Sequence, residues 1–495
     1  MRRASAQALY SNRTARALHN LPSRRRSSRL NRQAFVIALV ALFVLCSIGL
    51  VICWSFVFPD DATRISGSKS GPRVSRIAFG SSSSHDYSAQ PVWVHGIIPS
   101  DPHAWIWLGN MAYLDEARVN CDASPNHYQC NCSADWLRQP PHFCMTGDLE
   151  HAASKMQVQL ANPDYAQFLA FMCPGHREKG LFPPPGADPA VCPKRIFGTY
   201  SDHDYGWRHG NKRLPQKDAL KQVFLDALGE SLDSPRRNGG RGIEWKYTLN
   251  QESKGYEIDV ILLDTRYYRD PLPCHTKRAF CKDITRTKTS PEHRAWCEDF
   301  LGGETGMGSC CGKDSLFLNE SELPKLLSNS NFCDVLGNHQ RNWLETTLLQ
   351  SNSPVKLIVS SSSVLAADDE ASSSCSLDNW DCYTAAQMNL LELLTKASGC
   401  VIILSSGLEH SRIRVLRPGL QARYGGLTFP RALYEVALSG LTNTSDKSLS
   451  CDEVDCGPSF GMIEIENGMV KLQSRDGMSG QVKLESAFPL ATCYA

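Results

Sequence analysis

The stretch Ala34–Phe58 runs for 25 residues without one charged side chain. As a helix rising about 1.5 Å per residue it reaches about 37 Å, enough to cross a bilayer with some tilt. Nine arginines and no acidic residue precede it within the first 33 positions, and Asp60 and Asp61 follow it. Basic residues stay on the cytosolic side, so residues 1–33 are expected in the cytoplasm and everything beyond residue 58 in a lumen or outside the cell. A cleavable signal peptide has a shorter apolar core, which makes an uncleaved anchor of a single-pass type II membrane protein the expectation. A Ser/Arg-rich, acid-free start also suits an organelle transit peptide. Residues 59–73, rich in Ser, Gly and Asp, read as a flexible stalk before one folded domain at 74–495.

The cysteines agree with that placement. Of 20, Cys46 and Cys53 lie inside the apolar stretch, leaving 18 beyond it. A dense, even set outside the cytosol reads as disulfides, and no paired Cys-x-x-Cys knuckles suggest zinc. They concentrate between Cys121 and Cys192 and between Cys274 and Cys333, two regions that read as disulfide-rich insertions. The sequons at Asn131, Asn319 and Asn443 fit a glycosylated lumenal face. Net charge is +1 over the whole chain, so nothing outside the N-terminal arm signals nucleic acid.

Apolar runs at Val74–Gly80, His103–Gly109, Arg195–Gly198, Glu257–Asp264, Val355–Ser360 and Cys400–Ser405 read as strands. Helical spacing is seen at Glu150–Met172, Lys217–Leu228, from Asn338 through Leu348, and at Thr384–Ala397. This alternation predicts α/β organisation with a largely parallel central sheet. Past Tyr434 the pattern turns to hairpins, with Asn467-Gly468 as a two-residue turn between Gly461–Glu466 and Met469–Gln473.

Several of the strands end in Gly or Asp followed by polar groups, and ligands in such sheets gather at carboxyl ends. The densest end is Gly198-Thr-Tyr-Ser-Asp-His-Asp-Tyr-Gly206. Carboxylates hold hard cations and imidazole holds softer ones, so Asp202, His203 and Asp204 suit a metal, or else a solvated turn. Arg266, after Asp264, suits a phosphate clamp through its planar fork, or a structural pairing with Asp264 or Asp270. Gly337-Asn-His-Gln340 has the look of a ligand loop, but Asn338 as a helix cap explains it better.

The ordered pieces Arg76-Ile-Ala-Phe-Gly-Ser, Trp105-Ile-Trp-Leu-Gly with Tyr113 and Asp115, Asp202-His-Asp-Tyr-Gly206, Leu263-Asp-Thr-Arg-Tyr-Tyr268, Gln340 with Trp343-Leu344, Val359-Ser-Ser, Ser406-Gly407 with His410, and Tyr434-Glu-Val with Ser439-Gly-Leu resemble the alkaline phosphatase D (PhoD-like) metallophosphatases. The resemblance runs from about Arg76 to Ser445. It implies the calcineurin-like metallophosphoesterase fold, a two-sheet β core flanked by helices. It further implies a phosphate-ester substrate or ligand, hydrolysis by metal-activated water, and divalent or trivalent metal ions, calcium or iron. Carried over, Asn110, Asp202, His203, Asp204 and His410 are the metal positions, and His203, Arg266 and His410 the catalytic ones.

The chain also departs from the family at four ligand positions. The family's Gly-Ser-Cys is Gly80-Ser-Ser82 here, its Gly-Asp is Gly109-Asn110, the first acid of its Asp-Asp-His run is Ser201, and the Asp of its Ser-Gly-Asp-x-His motif is Leu408. Each change removes negative charge from a site that must neutralise cations. Two functions remain open: a membrane-anchored phosphatase acting on phosphomono- or phosphodiesters, and a catalytically impaired homologue serving as a binding or interaction ectodomain.

Overall fold

In a computed structural model the described residues are 73–115, 149–174, 194–270 except 209, 213 and 215, 334–365, 379–407, 411–424, 426–442 and 457–494. The chain divides into Met1–Gly67 and Ser68–Ala495, and all described residues belong to the second unit. The apolar stretch 34–58, the stalk up to residue 72, the three sequons and the Cys-rich segment 274–333 lie outside them. Among the described residues no helix is long and apolar enough to cross a membrane.

Strands β1 (Arg76–Gly80), β2 (Ala104–Trp107) and β3 (Arg195–Gly198) run parallel to one another. Helix α1 (Leu149–Leu160) and helix α2 (Pro163–Met172) come between β2 and β3, and α3 (Lys217–Ala227) follows β3. A second set follows: β4 (Trp245–Leu249), β5 (Ile258–Leu262), α4 (Gly337–Gln350), β6 (Val355–Val359), α5 (Thr384–Thr395) and β7 (Cys400–Ser405). Then come β8 (Arg412–Leu416), the small β9 (Gly419–Gln421) and β10 (Leu427–Phe429) ladder, and β11 (Leu433–Ala437). The meander β12 (Ser459–Glu466), β13 (Met469–Asp476) and β14 (Val482–Pro489) closes the chain.

Two six-stranded mixed sheets result, ordered β14-β13-β12-β1-β2-β3 and β4-β5-β6-β7-β11-β8. The expectation of one largely parallel sheet is thereby corrected. Its parallel runs are real, but they are shared between two sheets, β1-β2-β3 in one and β5-β6-β7-β11 in the other. The C-terminal meander extends the first sheet by pairing β12 antiparallel to β1.

The period-two alternation of each strand explains the stacking. Ile77 and Phe79 of β1 share an apolar cluster with Val260, Leu262, Leu357, Val359, Ile402 and Leu404 of the second sheet. Ala78, between them, faces a separate cluster with Trp93, Trp105, Trp107, Met156, Phe168 and Phe224, where α1 to α3 cover the first sheet. Ile261, Ile358, Val401 and Ile403 point the other way, to α4 and α5 through Leu344, Leu348, Leu390 and Leu391. Both faces of the parallel strands are buried, so these strands read as continuous apolar runs.

Within Cys121–Cys192, the helical part packs on the core: Met156 and Phe168 are buried in one cluster with Trp93 and Trp105. It is not one helix. Asn162 accepts hydrogen bonds from the backbone N–H of Asp164 (3.0 Å) and Tyr165 (3.3 Å), and Pro163 opens α2, so cap and proline restart the helix there. The turn at Asn467-Gly468 is as expected, with φ of 52° and 72°.

A disulfide joins Cys400, at the start of β7 in the second sheet, to Cys493, just past β14 of the first. Cys173 is also disulfide-bonded. The Cys400–Cys493 bridge spans 93 residues of sequence, so it removes much freedom from the unfolded chain. Replacing Cys493→Ser is expected to lower stability to denaturant by about 2–4 kcal/mol, measured by equilibrium unfolding, with the native fold retained.

Candidate functional site

Three strand ends of the first sheet meet at one place because their loops are zipped together. Beyond β1 and β2, the N–H of Ser82 donates to the Gly109 carbonyl (3.3 Å) and that of Ser83 to the Asn110 carbonyl (2.8 Å). Gly109 and Asn110 take positive φ, 110° and 52°. A Cβ at Gly109 would lie 2.5 Å from both the backbone nitrogen and the Cβ of Ser201, so only glycine lets the loop after β2 press on the loop after β3.

Asp204 ties those two loops. Its side chain is fully buried and accepts backbone N–H groups from Asn110, Met111, Ala112 (3.1 Å) and Ser201 (3.1 Å). Burial pushes its carboxyl up to about 7, opposed by the four backbone donors, which favour the anion. Its oxygens therefore serve the protein backbone.

Asn110 is engaged in the same way: its side-chain oxygen accepts the backbone N–H of His203 (3.2 Å). His203 turns to the other side. Its Nδ1 lies 2.7 Å from Asp115 Oδ1, and its ring stacks on Tyr113 at a centroid distance of 4.0 Å. A carboxylate on Nδ1 fixes the orientation of the ring. The Tyr113 N–H in turn donates to Nδ1 of His85, a buried histidine that no sequence motif marked.

Asp202 accepts the Ser201 hydroxyl (3.2 Å), and that same hydroxyl accepts Nη2 of Arg266 (3.4 Å). Arg266 is fully buried after β5. Its loop is shaped by Asp264, whose Oδ1 accepts the N–H groups of Arg266 (2.9 Å) and Tyr267 (2.8 Å). Asp264 Oδ2 accepts the N–H of Ile243 (2.9 Å) and the hydroxyl of Tyr200, one residue before Ser201. Gln340 of α4 brackets the Asp264 backbone, accepting its N–H (2.8 Å) and donating to its carbonyl (2.7 Å).

Asn338 does not cap α4, contrary to the sequence expectation. The cap position is Leu336, without a side-chain bond, and Asn338 instead accepts from Arg341 within the first turn. Upstream, the Asp334 carboxylate accepts the N–H of Leu336 (3.2 Å) and so fixes the turn that enters the helix.

The structure therefore joins Asn110 to Asp204 and His203, and Arg266 to Ser201 and Asp202. His410 and Leu408 lie outside the described residues. Among the described residues, no group of three or more His, Cys, Asp or Glu side chains could hold a metal ion. The donor set agrees: Asp204 and Asn110 spend their oxygens on backbone N–H groups, so these residues do not fit a binuclear centre.

Asp204→Asn replaces one acceptor by a donor facing buried N–H groups, and is expected to cost about 1–3 kcal/mol of stability. Denaturant unfolding at pH 8 measures it; a variant as stable as the natural protein would refute the tie.

The comparisons with known proteins bear on the chain as follows. No curated protein matches it. Among solved structures it is similar to one described as "Structure of PhoD", at 14% identity and TM-score 0.47, covering 85% of this chain and 71% of that one. A purple acid phosphatase from yellow lupin (Lupinus luteus) seeds is similar at 9% identity and TM-score 0.41, covering 85% of this chain and 55% of that one. GAP50, the anchor in the inner membrane complex of Plasmodium, is similar at 10% identity and TM-score 0.36, covering 84% and 89%. The family model for PhoD-like phosphatases matches residues 250–451, which hold β5 to β11, Asp264, Arg266 and Gln340. That match spans less than half of the 495-residue chain, and within it this chain is similar to PhoD-like phosphatases.

Proposed function

We propose that this chain is a membrane-anchored phosphatase that hydrolyses phosphomono- or phosphodiesters on the lumenal or extracellular side of a secretory membrane. The family match over residues 250–451 supports the reaction class. The observation that carries the site is the contact of Arg266 with Ser201, which puts a guanidinium at the head of the Asp202–His203 loop. A guanidinium meets two phosphoryl oxygens at once and stabilises charge that builds on them. His203, oriented through Nδ1 by Asp115, is the imidazole placed to move a proton in this reaction. The resemblance also implies calcium or iron, but Asp204 and Asn110 are committed to backbone groups, so no step is drawn through a metal.

A second reading is favoured by that same commitment. A homologue that keeps the phosphate-binding arginine while its ligand positions are used structurally would bind a phosphorylated ligand without turning it over. Both readings place the anchor at Ala34–Phe58 and glycans at Asn131, Asn319 and Asn443.

Full-length protein in membranes and in detergent, given aryl phosphate mono- and diesters with a panel of added metals, is expected to turn over, with activity sedimenting with the membranes. Arg266→Ala is expected to lower the rate by about 10²-fold or more, and His203→Ala by a similar factor. No turnover under any condition, with a phosphate ester still bound, would select the second reading.

A further inference from the structure

Behind Arg266 lies a buried acidic pair that the proposed reaction does not use. Glu244 begins the segment into β4, and its side chain is 1% exposed. Its Oε1 accepts the Tyr268 hydroxyl (3.2 Å), whereas Oε2 is buried with no hydrogen-bond partner among the described residues. Gly242 shows where that oxygen sits. A methyl group there would lie 2.4 Å from Glu244 Oε2 and 2.5 Å from Asp264 Oδ2, so both carboxylates crowd one glycine.

The two acids are not equivalent. Asp264 accepts four donors, from Ile243, Arg266, Tyr267 and Tyr200, which satisfy both its oxygens. Glu244 Oε2 has none, and an ionised oxygen there would be uncompensated beside a second negative charge. We propose that Glu244 is held as a neutral carboxylic acid beside the Asp264 carboxylate, making a proton-linked latch under the loops that carry Tyr200, Ser201 and Arg266. When Glu244 loses its proton, the two carboxylates repel across Gly242 and the latch loosens.

The remaining charged and titratable neighbours are few. Arg241 and His339 of α4 face Glu244, the latter at 3.4 Å from Oε1; Lys221 of α3 and Tyr200 also feel its charge. Burial first, and Asp264 second, push the Glu244 carboxyl up to about 7, while burial and then Arg241 pull the half-exposed His339 down. An acid whose folded pKa is raised contributes its full stability below its ordinary range and loses it as pH rises through the raised value. The latch is therefore tight on the acid side and weakens through about pH 7. It stands whether or not the domain hydrolyses phosphate esters.

The test is the melting temperature of the purified full-length protein between about pH 5.5 and 8.5, compared with Glu244→Gln, which keeps the shape and cannot ionise. The natural protein is expected to lose about 2–4 °C more than the variant across this range. The comparison is needed because Asp204 titrates in the same window in both proteins. His339→Gln should leave that difference in place. Equal pH slopes in the natural protein and Glu244→Gln, or loss of the difference in His339→Gln, would overturn the proposal. Should Glu244→Gln fail to fold, infrared spectra of natural protein carrying 13C at glutamate carboxyls decide it. A protonated glutamic acid band that fades through about pH 7 and remains in Glu435→Gln, which removes the other buried glutamate held up by burial, supports the latch, and its absence refutes it.

Discussion

The candidate site rests on one buried carboxylate. Asp204 gathers backbone N–H groups from Asn110, Met111, Ala112 and Ser201, so the loops after β2 and β3 hold one shape through a side chain. Those loops begin on adjacent parallel strands, and Gly109 lets them touch. With them fixed, Asn110 holds the His203 backbone, and Asp115 and Tyr113 fix its ring. A second carboxylate, Asp264, does the same for the loop after β5, and the Tyr200 hydroxyl links the two arrangements. Preorganisation of this kind suits a site that must meet a charged group without rearranging.

Much of this was legible in the sequence because strands and helices leave periodic traces. The apolar runs at β5, β6 and β7 stand where they were expected, as does the Asn467-Gly468 turn. Division into two sheets was not legible from periodicity, since a buried parallel strand looks the same whichever sheet it joins; only the resemblance pointed there. The break at Asn162-Pro163 was available in the residues, as a capping side chain before a proline, yet apolar spacing on both sides masks it.

The candidate site was legible as a cluster of residues, but the partners of each were not. Asp202, His203 and Asp204 are adjacent in sequence, and as ligands they were read as one group. Each also has a partner within the protein: Asp204 the backbone amides, His203 Asp115 and Tyr113, and Asp202 the Ser201 hydroxyl. No spacing rule conveys this, because it depends on which loop each residue meets. Glu244 and His85 carried no motif at all; their partners Tyr268 and Tyr113 come from the loops after β5 and β2. At Asn110 and Ser201, two of the four positions where the chain departs from the resembled pattern, the groups present bond to the protein itself.

The central claim is that Asp204 and the protein's own amides, rather than a bound cation, hold the loops of the site together. The most direct measurement is the melting temperature of the full-length protein before and after exhaustive treatment with a metal chelator, with metal content followed by elemental analysis. If the claim holds, the melting temperature is unchanged by chelation, whatever metal is removed. A fall of more than about 5 °C on loss of stoichiometric metal would contradict it, because ligand binding stabilises only the state it helps to hold.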